Sequence, residues 1–395
     1  MATTRNLHGV PVGLPERTAP KSAAYPPAFL EYAWYVCLVY ALLGQAWGIV
    51  IPLVGGLIWM LIAAACLMSA GGRELSIYKP VAWAFCTGAL MIGIELLFHE
   101  WNEKAAVEAT AFVQWLALLI IVQSLSLRPG FLQRFALVAF AIGLACLPYL
   151  NVKAVGGVMR AWATGTGISN PNVLGMWFGF CTVYFVFWGL QFRDPILRVA
   201  IWTAAILSFF IVLIAVSRGP LFAVALACLV GFRSALKGSF GPLVALSFLV
   251  FIVSLTGVFD DWLGYYFVRG AEESGRGKLW PAAMERILDS PWVGVGLGDI
   301  GILQYDGRLI NPHNALLHIA LGGGVIPVIC FLGYLSKVVM GALRNMQRGH
   351  VAEVSLLPPL VVFALVEIMV LDLAFMTAWP VVVFGLAARA SLTKA

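Results

Sequence analysis

The sequence predicts an all-α integral membrane protein with about twelve transmembrane helices and one large loop, containing short helices, outside the membrane. Hydrophobic residues make up 61% of the 395 positions and charged residues only 11%, whereas a soluble domain carries roughly 25% charged residues. The mean hydropathy is +0.92. Apolar runs near the roughly 20 residues that a spanning helix needs recur along the chain, without the strict alternation of barrel strands.

These runs define one membrane domain over residues 28–390 and no soluble domain. It lies between an N-terminal tail, 1–27, and a C-terminal tail, 391–395, and it contains a long polar loop, 259–313. The predicted spans, in chain order, are 28–46, 49–70, 80–98, 108–126, 131–150, 173–190, 198–216, 219–232, 241–258, 314–337, 354–371 and 374–390.

Loop charges predict the orientation of the chain. If the N-terminus is cytoplasmic, every cytoplasmic loop contains lysine or arginine, as the positive-inside tendency requires, and both termini and tails lie inside. Topology therefore explains most of the net charge of +6, and without a basic helix or RNA-binding signature no nucleic-acid partner is predicted. The basic residues that remain outside concentrate in loop 151–172, at Arg218 and in the long loop. Binding of an anion would explain them.

Two arginines stand in contexts that favour an anionic ligand. Arg218 lies between two apolar runs, where an arginine is expensive and marks a function by default; the alternative is a guanidinium that reaches the surface from a helix end. Arg276 stands between two glycines, which let a ligand approach the backbone, or it is a solvated loop charge. A guanidinium can hold phosphate oxygens through two parallel hydrogen bonds. Lys278, and Arg160 by position only, are further candidates.

His313 is the candidate proton acceptor. We expect Asn311 to cap the next helix and Pro312 to occupy its first position, which places His313 in the first turn. The helix dipole there disfavours a protonated imidazole, and a neutral imidazole can take a proton from a hydroxyl. A histidine that only caps the helix is the alternative. His318, further along the same apolar run, is interpreted as structural.

Three further segments have a predicted local structure. Residues 276–288 repeat apolar side chains at helical spacing, which predicts a helix that can lie on the membrane surface. Loop 151–172 is rich in turn-forming residues and should lead by turns to a helix start. The glycines from Gly294 to Gly298 indicate a turn, since no βαβ unit surrounds them. No spacing typical of a metal site occurs, so a reaction without metal is expected.

Short motifs in the second half of the chain, about residues 165–340, resemble in order and spacing the O-antigen ligase and polymerase superfamily of GT-C-type bacterial membrane glycosyltransferases. The motifs are GISNPN at 167–172, SRG at 217–219, GRGKLW at 275–280, DSPWVGVG at 289–296, PHN at 312–314 and GGGVIP at 322–327. The superfamily usually has about twelve helices and one large periplasmic loop late in the chain, which agrees with the predicted architecture.

The resemblance implies an O-antigen ligase of lipopolysaccharide biosynthesis, multi-pass in the bacterial inner membrane, with its active site facing the periplasm. O-antigen glycan would pass from undecaprenyl pyrophosphate to a sugar hydroxyl of lipid A–core, with no cofactor and with inversion. Arg218 and Arg276 would hold the pyrophosphate, Arg160 and Lys278 would be additional contacts, and His313 would be the base. Membrane lipids are the other expected partners.

Two other functions stay open at this point. An O-antigen polymerase of the same superfamily would use the same kind of donor. A transporter or channel for a lipid or anion would have a similar number of helices, although no repeat symmetry is evident. The chain ends soon after its last predicted helix, whereas protein-glycosylating relatives usually have additional C-terminal sequence, so we expect a ligase.

Overall fold

The computed structural model describes residues 25–49, 54–69, 75–155, 158–233, 276–303, 309–347, 356–369 and 378–392. Its α-helices are α1 (Ala28–Leu43), α2 (Val54–Ser69), α3 (Ala82–Phe98), α4 (Glu103–Leu125), α5 (Phe131–Cys146), α6 (Pro171–Gly189), α7 (Pro195–Ile214), α8 (Arg218–Gly231), α9 (Arg276–Asp289), α10 (Ala315–Gly323), α11 (Val325–Gln347), α12 (Leu357–Ile368) and α13 (Ala378–Ala390). Two antiparallel hairpins pair β1 (Leu150–Val155) with β2 (Val158–Ala163) and β3 (Ile302–Leu303) with β4 (Leu309–Ile310). Short 3₁₀ segments occupy Leu75–Val81, Leu147–Tyr149 and Leu297–Asp299.

Helices occupy every predicted span except the ninth, 241–258, which lies outside the described residues. The helices long and apolar enough to cross a membrane number 6 in the described part of the chain: Ser76–Phe98, Glu103–Leu125, Phe131–Tyr149, Pro171–Gly189, Pro195–Ile214 and Val325–Met346. Shorter apolar helices include α1, α8, α12 and α13. The protein is thus a mostly helical membrane protein, and the number of twelve spans and the extent of loop 259–313 stay predictions.

α6 is the central helix of the bundle. It begins at Pro171, where the side chain of the N-cap residue Asn170 accepts a hydrogen bond from the amide of Asn172, an arrangement that satisfies one of the donors left over at a helix start. Nearly all of its side chains are buried, because it packs against α5, α7, α8 and α12. Phe180 of α6 also stacks on Trp379 of α13, with ring centroids 5.5 Å apart.

Arginines tie helix ends together at one end of the bundle. The buried carboxylate of Glu31 in α1 accepts from Arg134 at 2.7 and 2.9 Å and pairs with Arg128 at 3.0 Å. Further contacts run from Arg389 to the Ser126 hydroxyl (2.9 Å), from Arg344 to the Ser391 carbonyl and from Arg233 to the Met346 carbonyl (3.3 Å). Loop charge predicts a cytoplasmic position for all five arginines, and these contacts bring them to one end of the bundle.

The tenth predicted span, 314–337, is wrong as a continuous helix. It divides at Gly324 into α10 and α11. Gly324 has φ +76°, and a Cβ at this position would lie 2.3 Å from the carbonyl oxygen of Trp292. Two backbone hydrogen bonds cross the break, from Val325 to the Pro291 carbonyl (2.8 Å) and from Val295 to the Leu321 carbonyl (2.6 Å). The helix therefore ends where another segment of backbone packs against it.

The prediction of turns throughout loop 151–172 is also corrected, because residues 150–155 and 158–163 pair as the hairpin β1–β2. Val155 is the partner of Val158 in this register. Two short runs in which apolar and polar residues partly alternate, separated by Gly-Gly, are a recognised hairpin signal, and this signal could have predicted the strands. The expected helix start at the end of the loop is confirmed by α6.

Replacing Gly324 by alanine should destabilise the protein. The backbone there has a positive φ and an extended ψ, a conformation that almost only glycine adopts, and a residue with a Cβ pays about 1–3 kcal/mol for it. The new methyl would also collide with backbone that cannot rotate away. We expect Gly324→Ala to lower the thermal unfolding midpoint in detergent by several degrees. Gly93→Ala is the matched control, since a Cβ at Gly93 meets nothing within 4 Å. Equal midpoints for the two variants would contradict the packing described.

Candidate functional site

Arg160 is carried by β2 to the junction between α7 and α8. Its side chain is buried; Nε donates to the carbonyl of Ala215 at 3.2 Å, and Nη2 donates to Oδ1 of Asn172 at 3.1 Å. The same Asn172 oxygen accepts from the hydroxyl of Ser217 at 2.9 Å. A hairpin, the start of α6 and the start of α8 are thus joined through one amide oxygen.

Arg218 begins α8 in a strained connection. Val216 has φ +46°, which is rare for a β-branched residue. Ser217 is the N-cap residue of α8, but its hydroxyl bonds to Asn172 and makes no side-chain cap bond to the helix. Arg218 follows as the first helical residue, and it is exposed. Arg218 therefore lies at the positive end of the α8 dipole, at a helix start where the N-cap side chain makes no hydrogen bond to the helix amides.

His313 lies outside the helix, so its expected place in the first turn is wrong. Asn314 is the N-cap residue of α10 and accepts from the amides of Leu316 (2.9 Å) and Leu317 (3.2 Å). His313 precedes this cap with φ +50°. Asparagine caps helices well because its side-chain oxygen reaches the second and third amides, and Asn314 does so in place of Asn311. The argument from the first-turn dipole therefore does not apply to His313 as it was made.

Helix α9 confirms the amphipathic helix predicted at 276–288 and packs beside His313. Leu279 and Ala283 are buried, whereas Leu288 is exposed. The indole Nε1 of Trp280 donates to the carbonyl of Pro312 at 3.0 Å, so the residue before His313 is held by the start of α9. Arg276 is the first residue of α9. The side chains of Arg276 and Lys278, and all of Arg269 and Arg308, lie outside the described residues.

Three helices show that Arg218 and His313 lie at the same end of the bundle. A Cβ on Gly175 would meet Ser217, whereas one on Gly231 would meet Phe187, so α6 and α8 run parallel with their starts together. A Cβ on Gly179 would meet Phe363.

Helix α12 runs the other way. Its first residue, Leu357, shares a cleft with Tyr184 and Trp188 near the end of α6, whereas Phe363 lies beside the middle of α6. The end of α12 is therefore near the starts of α6 and α8. Asn314 donates to the carbonyl of Met369, which follows α12, at 3.4 Å. The connection that contains His313 thus reaches the end of the bundle where Arg160 and Arg218 lie, opposite the end that contains Arg128.

Two polar residues of this region, Asn172 and Glu367, were missed by sequence reasoning. Asn172 was part of a motif without a role, and the structure makes it the acceptor shared by Arg160 and Ser217. Glu367 of α12 is fully buried. It lies one turn beyond Phe363 on the same helix face, toward the starts of α6 and α8, and an ionisable residue inside a membrane bundle is a functional candidate by default. The apolar run around Glu367 could have drawn attention to it.

Among residues that the structure describes, no group of three or more His, Cys, Asp or Glu side chains could hold a metal ion. Asp299 is exposed, and Asp306 and Asp372 lie outside the described residues. The absence of a metal requirement stays a prediction.

The helical bundle, with its apolar helices and an end where arginines meet helix starts, defines a multi-pass membrane protein. A model of the O-antigen ligase family matches residues 203–332, from α7 into α11, a segment that includes Arg218, Arg276, Lys278 and His313 but not Arg160. This match supports the resemblance that the sequence motifs predicted. A search of curated proteins found no match.

The family match has direct consequences for the class of activity. It supports a glycosyltransferase-like member of the ligase and polymerase superfamily, which acts on lipid-linked sugars in contact with membrane lipids.

Removing the indole hydrogen bond should loosen the connection that contains His313. Trp280→Phe keeps an aromatic ring but loses the bond to the Pro312 carbonyl, and one such bond is worth about 0.5–1.5 kcal/mol. We expect backbone hydrogen exchange in residues 309–314 to become roughly two- to tenfold faster. Trp292→Phe is the control, because the Trp292 side chain is 67% exposed. Unchanged exchange, or the same change in both variants, would contradict the proposed coupling.

Proposed function

We propose that the protein is an O-antigen ligase, which transfers O-antigen glycan from undecaprenyl pyrophosphate to a sugar hydroxyl of lipid A–core on the periplasmic side of the inner membrane. One observation carries this proposal. Among the described residues, the non-glycine residues with positive φ are Val216 and His313. Val216 lies two positions before Arg218, the predicted phosphate-binding residue, and His313 is the predicted base. Strained backbone of this kind clusters at functional sites.

The donor pyrophosphate would bind at the starts of α6 and α8. Each helix start supplies a partial positive charge, and Arg218 adds a guanidinium that can grip two phosphate oxygens. Arg276 and Lys278, at the start of α9, would approach from the side of His313. Arg160 already donates to Ala215 and Asn172. It would therefore contribute to pyrophosphate binding mainly through its charge and by holding the Val216–Arg218 connection in place.

His313 would act as the general base. The acceptor hydroxyl oxygen attacks the anomeric carbon, its proton passes to an imidazole nitrogen of His313, and the bond between the anomeric carbon and the phosphate oxygen breaks. Undecaprenyl pyrophosphate leaves with the bonding electrons, and the arginines stabilise the charge that develops on it. A direct displacement of this kind inverts the anomeric carbon and needs no carboxylate nucleophile.

A reconstituted reaction tests the proposed function. Purified protein in vesicles is mixed with undecaprenyl-pyrophosphate-linked glycan and lipid A–core, without nucleotide or divalent metal. Glycosylated lipid A–core is the expected product, detected by gel shift and mass spectrometry. No product, together with movement of the lipid-linked glycan across the vesicle membrane, would replace the proposal by a transporter.

His313→Asn should abolish most of the transfer while the fold is kept. Asparagine tolerates positive φ, so the strained backbone is retained, but its amide cannot take a proton at neutral pH. Loss of a general base typically costs about 10²–10⁴-fold in rate. His8→Asn, in the N-terminal tail, is the control. Near-normal transfer by His313→Asn would remove the assigned role.

Arg218→Lys and Arg276→Lys should each lower transfer by roughly 10- to 100-fold, which corresponds to the loss of one hydrogen bond to a charged group, because lysine keeps the charge but not the planar fork. Arg198→Lys serves as the control, since Arg198 lies at the start of α7, at the other end of the bundle, and is bonded to the Phe192 carbonyl. Full activity in Arg218→Lys and Arg276→Lys would reduce these residues to generic positive charges.

The ligase and polymerase alternatives differ in what accumulates when the protein is absent. Deletion of a ligase leaves lipid A–core without O-antigen, whereas deletion of a polymerase leaves core capped by a single repeat. The first result is expected here, and a single-repeat cap would assign the protein to polymerisation with the same donor chemistry.

A further inference from the structure

A second site lies at the opposite end of α6 from Arg218. An open cleft of about 110 Å³ lies between the connection from α4 to α5, the end of α6 and the start of α12. One part of its lining is polar, with Ser126, Arg128 and Gln133, and the other is apolar, with Trp188, Leu357 and Leu386. Helix ends surround it, which places it at the level of the membrane surface. The cleft is therefore amphipathic and lies where lipid headgroups meet acyl chains.

The polar part of the cleft has an excess of positive charge. Glu31 is one carboxylate between two guanidiniums, those of Arg128 and Arg134, and it also accepts from Tyr35 at 2.7 Å. The Glu31 side chain is only 2% exposed, whereas that of Arg128 is 21% exposed. The negative charge is thus enclosed, and the accessible side of the cluster is cationic.

A second positive charge lies close to the same wall. Arg389, at the end of α13, donates to the hydroxyl of Ser126 at 2.9 Å, and Ser126 lines the cleft. An anion in the cleft would therefore contact Arg128 directly, and Arg389 would attract it from behind Ser126.

The lining selects among possible occupants. A free inorganic anion would use Arg128 but leave the apolar wall of Trp188, Leu357 and Leu386 without a partner. An uncharged acyl chain would cover that wall but not the arginine. A phospholipid with a negatively charged headgroup matches both parts, and each basic residue near a membrane surface contributes about 1 kcal/mol to its attraction.

We propose that this cleft binds one anionic phospholipid, with its phosphate at Arg128 and an acyl chain along Trp188, Leu357 and Leu386. The bound lipid joins the α4–α5 connection to α6 and α12, and α12 ends beside the Asn314 contact. The site is separate from the proposed glycan transfer, and its test does not depend on that activity.

The test is a titration of phosphatidylglycerol into delipidated full-length protein in detergent, followed by native mass spectrometry. The apparent dissociation constant of the first bound lipid is compared with that for phosphatidylcholine. We expect tighter binding of phosphatidylglycerol, about fivefold weaker binding in Arg128→Gln, which is the factor for 1 kcal/mol, and loss of the first site in Leu357→Trp, whose larger side chain fills the cleft.

The control is Arg198→Gln, which removes an exposed arginine from the same end of the bundle outside the cleft. Its binding should equal that of the unchanged protein. Equal weakening in Arg198→Gln and Arg128→Gln would reduce the effect to general surface charge and overturn the proposal. Competition by inorganic phosphate alone, or unchanged lipid binding in Leu357→Trp, would also overturn it. If Arg128→Gln does not fold, the comparison of Leu357→Trp with the unchanged protein decides the question.

Discussion

The structure around the break between α10 and α11 depends on one constraint: the backbone groups at the break need hydrogen-bond partners. An unpaired backbone group in an apolar environment costs several kcal/mol, so a helix can end inside the bundle only where other groups meet its backbone. Pro291 and Val295 provide them: the Pro291 carbonyl accepts from the Val325 amide, and the Val295 amide donates to the Leu321 carbonyl. This segment is in turn fixed to α3, since Glu95 accepts from the Leu297 amide at 2.7 Å. The chain leading to His313 is therefore anchored by a membrane helix.

The sequence could predict those features of the fold that a local pattern determines, and it could not predict those that depend on contacts between distant residues. Apolar runs place the spans well, because burial in lipid demands long uninterrupted segments whatever their neighbours are. The division at Gly324 is different. Its glycine run was recognised, but it ends a helix because the backbone of Trp292 lies against it, and no local pattern contains that contact. The hairpin β1–β2 had a local signal in Gly156 and Gly157 that was outweighed by the expectation of turns.

The same distinction between local patterns and distant contacts applies to the candidate site. Arg218 could be selected from sequence because a charge between apolar runs is costly wherever its partners are. The role of Asn172 could not, because its oxygen joins Arg160 and Ser217 across 12 and 45 positions of the chain. The cap beside His313 was assigned one turn early. Asn311 and Asn314 are both good caps by residue type, and the contact of Asn314 with the Met369 carbonyl lies too far along the chain for a local pattern to contain it.

Val216 and His313 show how the protein can keep strained backbone where chemistry is proposed. Each such residue costs about 1–3 kcal/mol and persists only if its surroundings over-determine it. The neighbours of Val216 are both fixed, Ala215 by Arg160 and Ser217 by Asn172. The neighbours of His313 are fixed as well, Pro312 by Trp280 and Asn314 by Met369 and the α10 amides. Relaxing either residue would break a bond on one side. The positions of Arg218 and His313 are therefore set by residues that need not touch the substrate, and this is the physical meaning of preorganisation.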